Sequence, residues 1–196
     1  MKLIQIVWIL VILLLVLGCQ KKEEAEQEAI EQEVTTTAEQ KAVTITDVSA
    51  FNYVCLPFMG SYENHEKVIE DFMQATGAQG IQMSGPMLGV YYNSPMKIPA
   101  DSLIWEIGFE VPEGTEVSEP LVIKKWEFTK VAKSMHTGPF ETVAQTYSKI
   151  IEFIGQQNMM PAGPTMERFL SDPQQVAPEE LQTEIWMPVS SGQMEM

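Results

Sequence analysis

The chain has 196 residues, 27 Asp and Glu against 12 Lys and Arg, and a formal net charge of −15. So acidic a surface excludes nucleic acid as a partner, since that binding rests on Lys and Arg neutralising phosphates, and it also repels an anionic membrane. The two cysteines and two histidines form no cluster spaced for zinc, no glycine-rich phosphate loop is present, and the 13 methionines are scattered core fillers rather than a copper motif, so neither metal nor cofactor is expected.

At the N-terminus, Lys2 precedes an apolar stretch from Leu3 to Leu17, broken only by Gln5. It is shorter than the ~20 residues that a spanning helix needs, and fits the hydrophobic region of a secretory signal. Val16-Leu17-Gly18-Cys19 then resembles a bacterial lipobox. That resemblance implies a signal peptide over 1–18, cleavage before Cys19 and lipidation of its thiol, with acyl chains such as palmitate holding the chain to the membrane. An uncleaved anchor is the alternative, and both readings place the remainder in the bacterial cell envelope, outside the cytoplasm. Residues 19–42 are rich in Glu, Gln, Lys, Ala and Thr and read as a flexible acidic tether. The folded domain is expected over 43–189, followed by a loose tail over 190–196.

Within the domain, the chain matches itself without a gap at a shift of 78 positions. Gly60 falls on Gly138, Glu63 on Glu141, Gly85-Pro86 on Gly163-Pro164 and Pro95 on Pro173. Leu103-x-x-Glu106-Ile107 falls on Leu181-x-x-Glu184-Ile185. The pattern predicts a duplicated unit, with a ligand site at the seam between the copies.

Each copy opens with a strand, Phe51 to Phe58 and Lys130 to His136. A helix follows over about 64–76 and 140–156; in the second, Val143, Tyr147, Ile150, Ile151 and Ile154 form one apolar face. Gly-Pro then opens a second strand, closed by Pro95 or Pro173, and the last strand runs Leu103 to Val111 or Leu181 to Val189. Leu121 to Phe128 adds a strand ahead of copy two. The fold class is α+β: two β-α-β-β repeats in an antiparallel sheet, with helices on one face and a candidate ligand groove on the other. Cys55, between Val54 and Leu56, reads as a small buried hydrophobe. His136 reads as structural beside its Gly-Pro turn.

Strand alternation predicts which side chains share a face. In the last strands, Leu103, Trp105, Ile107, Phe109 and Val111, with Leu181, Ile185, Met187 and Val189, are apolar and should meet the helices. Glu106, Glu184 and Trp186 then point the other way. In the middle strands, Leu88, Val90, Tyr92, Met166 and Leu170 are assigned to the helix side, which sends Tyr91, Glu167 and Phe169 to the opposite face. Three glutamates among rings on a free face have two explanations: an ordinary wet sheet face, or a pocket for a lipophilic cation.

The second copy reads His136-Thr-Gly138-Pro139-Phe140-Glu141, then Gly163-Pro164-x-x-Glu167-x-Phe169-x-x-Asp172-Pro173, then Leu181-x-Thr183-Glu184-Ile185-x-x-Pro188-Val189. This resembles the GyrI-like family, also called the AraC-type effector-binding domain, over about residues 43–189. The resemblance implies two β-α-β-β repeats around a pseudo-two-fold axis and a central groove for aromatic, often cationic, molecules, served by Glu167 and Glu184; with Glu106, Tyr91, Phe169 and Trp186 they are the candidate ligand-binding residues. A helix-turn-helix such as regulatory members carry does not precede the domain, and Gly89 stands where copy two has Glu167, so the site is asymmetric. The leading expectation is non-catalytic capture of a lipophilic small molecule. A hydrolase of strained or electrophilic toxins at the same groove, and a protein-interaction module, are the alternatives; the oligomeric state is left open.

Overall fold

A computed structural model describes residues 42–192. Strands β1 (Thr44–Asp47) and β2 (Phe51–Met59) lead to helix α1 (His65–Ala78), then β3 (Met87–Tyr91), β4 (Ile104–Val111) and β5 (Val122–Trp126). The second half holds β6 (Lys130–Thr137), α2 (Val143–Gln156), β7 (Met159–Pro161), β8 (Thr165–Phe169) and β9 (Gln182–Ser191). The signal peptide, Cys19 and all but the last residue of the tether lie outside the described residues. Among the described residues, no helix is long and apolar enough to cross a membrane.

Each helix is launched the same way. Gly60 and Gly138 adopt φ of 142° and 129°, values open to glycine, and their N–H groups bond Leu103 O and Leu181 O at 2.8 and 2.9 Å. That pins the turn to the start of the last strand, and one 3-10 turn, Tyr62–Asn64 or Phe140–Thr142, feeds the helix. The helices bury short stripes: Val68, Phe72 and Thr76 on α1, and Thr146, Ile150 and Ile154 on α2. Ile151, placed on the apolar face by spacing alone, is exposed instead. Phe72 packs edge-on to Phe109 at 5.3 Å; truncating such a fully buried ring costs about 3–5 kcal/mol.

All strand pairs are antiparallel, in the order β1-β6-β9-β8-β3-β4-β2-β5, with β7 on the far end of β9. The order is symmetric about the β3–β8 ladder: middle strand, last strand, first strand, edge, read outward in both directions. The edges are exchanged. β1 opens the first half yet pairs with β6 (Thr44↔Lys133), and β5, in front of the second half, pairs with β2 (Phe51↔Trp126). β9 also runs on to Ser191, because Ser190 and Ser191 pair with Met160 and Met159 of β7. The strand therefore takes in the first two residues of the predicted loose tail.

The registers correct one expectation. Gly89 lies opposite Ile107 and Glu167, and Glu167 lies opposite Ile185. Directly opposed residues share a face, so Gly89, Glu167, Tyr91 and Phe169 sit on the helix side with Ile107 and Ile185. The assignment of the last strands holds, with Trp105, Ile107 and Phe109 packed on Val68 and Phe72 of α1. The middle strands are inverted, because the other face is buried too. Leu88, Val90 and Met166, at 2%, 1% and 0% exposure, join Tyr53, Cys55, Trp126 and Trp186 in a second core. Apolar content cannot distinguish two faces that are both buried, and opposite the helices the central strands are covered by this core.

Candidate functional site

α1 packs on β2 and β4, and α2 on β6, β7 and β9. The β3–β8 ladder runs between them at the centre of the sheet, and there the chain places its most unusual group. Glu167 is 8% exposed, on β8, between the isoleucines of β4 and β9 that flank its row. Its Oε1 accepts a 2.7 Å hydrogen bond from the Tyr147 hydroxyl of α2. Its Oε2 lies 3.4 Å from the Tyr91 hydroxyl of β3. Among the described residues no Lys or Arg forms an ion pair with it. Burial pushes its carboxyl up to about 6 against the hydrogen bonds from Tyr147 and Tyr91, which pull it down.

The wall from the first half is aromatic and polar. Tyr62 and Tyr91 meet edge to face at 5.2 Å, His65 lies 4.3 Å from Trp105, and Tyr91 stacks on Trp105 at 6.5 Å. His65 Nε2 is 2.9 Å from the Tyr91 hydroxyl, and its Nδ1 is 2.5 Å from Tyr62 O. Trp105 is fixed by donating to Gly60 O at 2.9 Å. Burial lowers the His65 imidazole and, with the Glu167 charge, raises the Tyr62 phenol to about 12 and those of Tyr91 and Tyr147 well above their ordinary value, so the histidine is neutral and the phenols hold their protons near pH 7. The wall from the second half is apolar: Phe140 meets Phe169 edge to face at 5.8 Å.

Gly89 makes the close approach between these walls. A Cβ there would stand 2.6 Å from the Tyr91 hydroxyl and 2.9 Å from its ring carbon Cζ. The bare α-carbon lets the Tyr91 phenol fold over β3 and reach both His65 and Glu167.

Tyr91, Glu167 and Phe169, three of the candidates, are thus brought together, on the side opposite to the one predicted. Glu106, Glu184 and Trp186 are not part of this cluster. They do point away from the helices, where each carboxylate is already paired. Glu106 accepts from Tyr53 at 2.6 Å and Tyr92 at 2.9 Å and is bonded by the Lys124 ammonium. Glu184 binds Lys133 at 2.6 Å, Arg168 at 2.9 Å and the Trp186 indole N–H at 2.8 Å. Trp186 is itself covered by Arg168, 4.7 Å from its ring centre. These buried carboxylates are neutralised by partly exposed cations. A separate concavity of about 300 Å³ opens beside Glu184, along Thr44, Thr46, Lys133 and Met135, and not at Glu167. Among the described residues, no three His, Cys, Asp or Glu side chains converge as metal ligands. His136 is structural, its ring held by Thr146 at 3.0 Å and Pro139 O at 3.1 Å.

Tyr62, His65, Trp105 and Tyr147 were missed as site residues. The shift of 78 carries a recoverable signal. It pairs Tyr62 with Phe140, His65 with Val143, Ile69 with Tyr147, Gly89 with Glu167, Tyr91 with Phe169 and Trp105 with Thr183. These positions match in register and differ in chemistry, and they gather at the seam.

Comparison with known proteins agrees with this architecture. The profile of the GyrI-like small molecule binding domain matches residues 41–190. A DNA gyrase inhibitor from Erwinia billingiae is 29% identical over 116 residues, 56% of this chain and 72% of its own. The EcmrR C-terminal domain superposes with a TM-score of 0.68 at 12% identity, covering 76% of this chain and 97% of that one. A hydrolase from Listeria innocua gives 0.59 at 17% identity, over 82% and 98%. With the profile spanning nearly all of the described fold, the chain belongs to the GyrI-like small molecule binding domain family.

Proposed function

We propose that this domain captures lipophilic aromatic cations at the Glu167 cluster, and that Cys19 carries the lipid that holds it at the cell envelope. One observation carries the ligand class: Glu167 is a buried carboxylate with no cationic side chain paired to it among the described residues, while Glu106 and Glu184 both have one. An ionised carboxylate in a low-dielectric site is costly unless a positive charge meets it, so a ligand that brings the charge gains what the fold withholds. Tyr62, Tyr91, Phe140 and Phe169 supply ring faces and edges for a planar or multi-ring body. The membrane arm is supported by the apolar stretch and Gly18-Cys19 of the sequence.

A second reading, hydrolysis of an electrophilic small molecule, is favoured by one feature. A carboxyl pushed up to about 6 beside phenols is matched to general-base work near neutral pH. Calorimetry on Glu167→Gln separates the two. For a cation binder, affinity for a cationic dye falls by roughly 1–3 kcal/mol while a neutral dye of the same shape binds as before. For a hydrolase, turnover of an electrophilic ester falls about 10²–10⁴-fold with little change in binding. Affinities and turnover that ignore the substitution would remove the cleft from consideration.

A further inference from the structure

The Tyr91 hydroxyl has one proton and two acceptors within reach, His65 Nε2 at 2.9 Å and Glu167 Oε2 at 3.4 Å. Which acceptor receives it is decided one step further out. His65 Nδ1 is 2.5 Å from the backbone oxygen of Tyr62. A carbonyl cannot donate, so Nδ1 carries the imidazole hydrogen, and in the neutral ring Nε2 is left as an acceptor. The shorter contact then takes the Tyr91 proton. In that arrangement the phenol turns its lone pairs toward Glu167, and the 3.4 Å contact no longer carries a proton to Glu167 Oε2.

We propose that His65 is a positioning residue: it fixes the direction of the Tyr91 hydroxyl, so that Tyr91 Oη and Glu167 Oε2 present adjacent acceptors to the cleft and select cations that bear N–H groups over fully alkylated ones. The selection rests on reading the Glu167 cleft as a cation site; the tautomer does not. Two oxygens 3.4 Å apart, one of them anionic, suit a donor that bridges them. An ammonium or amidinium nitrogen supplies such donors. A quaternary ammonium brings the same charge and leaves both acceptors unmet. The groups facing His65 fit this role. Tyr62 comes from its own entry turn, Tyr91 from β3 and Trp105 from β4, with Glu167 and Tyr147 behind Tyr91. Burial holds the imidazole below its ordinary value, which keeps Nε2 unprotonated.

Two measurements on the full-length protein test this. The first needs no ligand. The chain has two histidines, so ¹⁵N spectra at pH 8 can assign the His65 tautomer. The proposal requires protonated Nδ1 and bare Nε2, and the reverse tautomer overturns it. The second compares 4-phenylbenzylammonium with its N,N,N-trimethyl analogue by calorimetry. The ammonium should bind about tenfold more tightly, as a charge-assisted hydrogen bond allows. His65→Phe, which keeps a ring against Trp105, should bring the ratio of the two affinities close to one. His65→Gln, whose amide oxygen can accept from Tyr91, should restore most of the preference. Equal binding of both probes, at a site still lost in Glu167→Gln, overturns the role of His65 and leaves the cation site standing. A preference that survives His65→Phe also overturns it. Affinities untouched by Glu167→Gln overturn the cation site and the selection together.

Discussion

Glu167→Gln should make the protein more stable, and the size of the gain should depend on pH. Burial raises the carboxyl from its ordinary 4.5 to about 6 in the folded chain. The folded state therefore binds this proton more tightly than the unfolded one, and between those two values it holds more protons. Stability falls with pH wherever that is so. At about 1.4 kcal/mol per pH unit, the ionised carboxylate costs the fold about 2 kcal/mol above pH 6, and nothing below pH 4. The amide has no such charge, fills the same space and still offers the Tyr147 hydroxyl an oxygen. Urea denaturation followed by tryptophan fluorescence, at pH 4 and pH 8, reads the difference directly. The variant should match the native chain at pH 4 and exceed it by about 2 kcal/mol at pH 8, with the gap opening between pH 4.5 and 6. A variant that is less stable at pH 8, or a gap that does not vary with pH, would refute the claim that Glu167 is held ionised at a cost.

Glu184 should behave with the opposite sign. Burial works against its charge, but Lys133 and Arg168 outweigh burial and hold the carboxyl below its ordinary value, so its contribution is present above about pH 4.5 and disappears as pH falls through the lowered value. Glu184→Gln should cost about 1–3 kcal/mol at pH 7 in the same denaturation assay, since both cations are partly exposed. Gly89→Ala should push the Tyr91 phenol off its place, weakening probe binding about tenfold or more while stability falls by about 1–2 kcal/mol; a crystal structure with Tyr91 unmoved would contradict the close-approach argument. Acylation of Cys19, as proposed, predicts that Cys19→Ser accumulates a larger precursor on a denaturing gel; a variant that matures to the native size and stays with membranes rules it out.

The secondary structure was legible because glycine, proline and alternation are local signals. Gly60 and Gly138 mark the turns, and the last strands announce their apolar side through Trp105, Ile107 and Phe109. The central strands were misread for a physical reason. Leu88, Val90 and Met166 look like helix-facing residues, and they are buried, but in a second core on the other side. The helix side of the same strands carries Gly89, Tyr91 and Glu167, which resemble a wet face until the helices bring Tyr147 and His65 over them. β1 was invisible for another reason. Thr44 to Asp47 has little apolar content, and its strand conformation comes from β6, far along the chain. In the same way Glu106 and Glu184 passed for site residues because their partners, Lys124, Lys133 and Arg168, are brought by pairing that no short window of sequence contains.

The exchanged edges have a consequence for how the chain is made. β1 emerges early, but its partner β6 follows only after the whole first half, and the outer edge of β2 stays bare until β5 arrives. A nascent first half therefore carries one strand with nothing to pair with and another with an open flank, both invitations to foreign strands. The last ladders to close are those most distant in sequence, a slow class of contact. Neither half can be cut free as a smaller working unit, because each would leave behind a strand that completes the other.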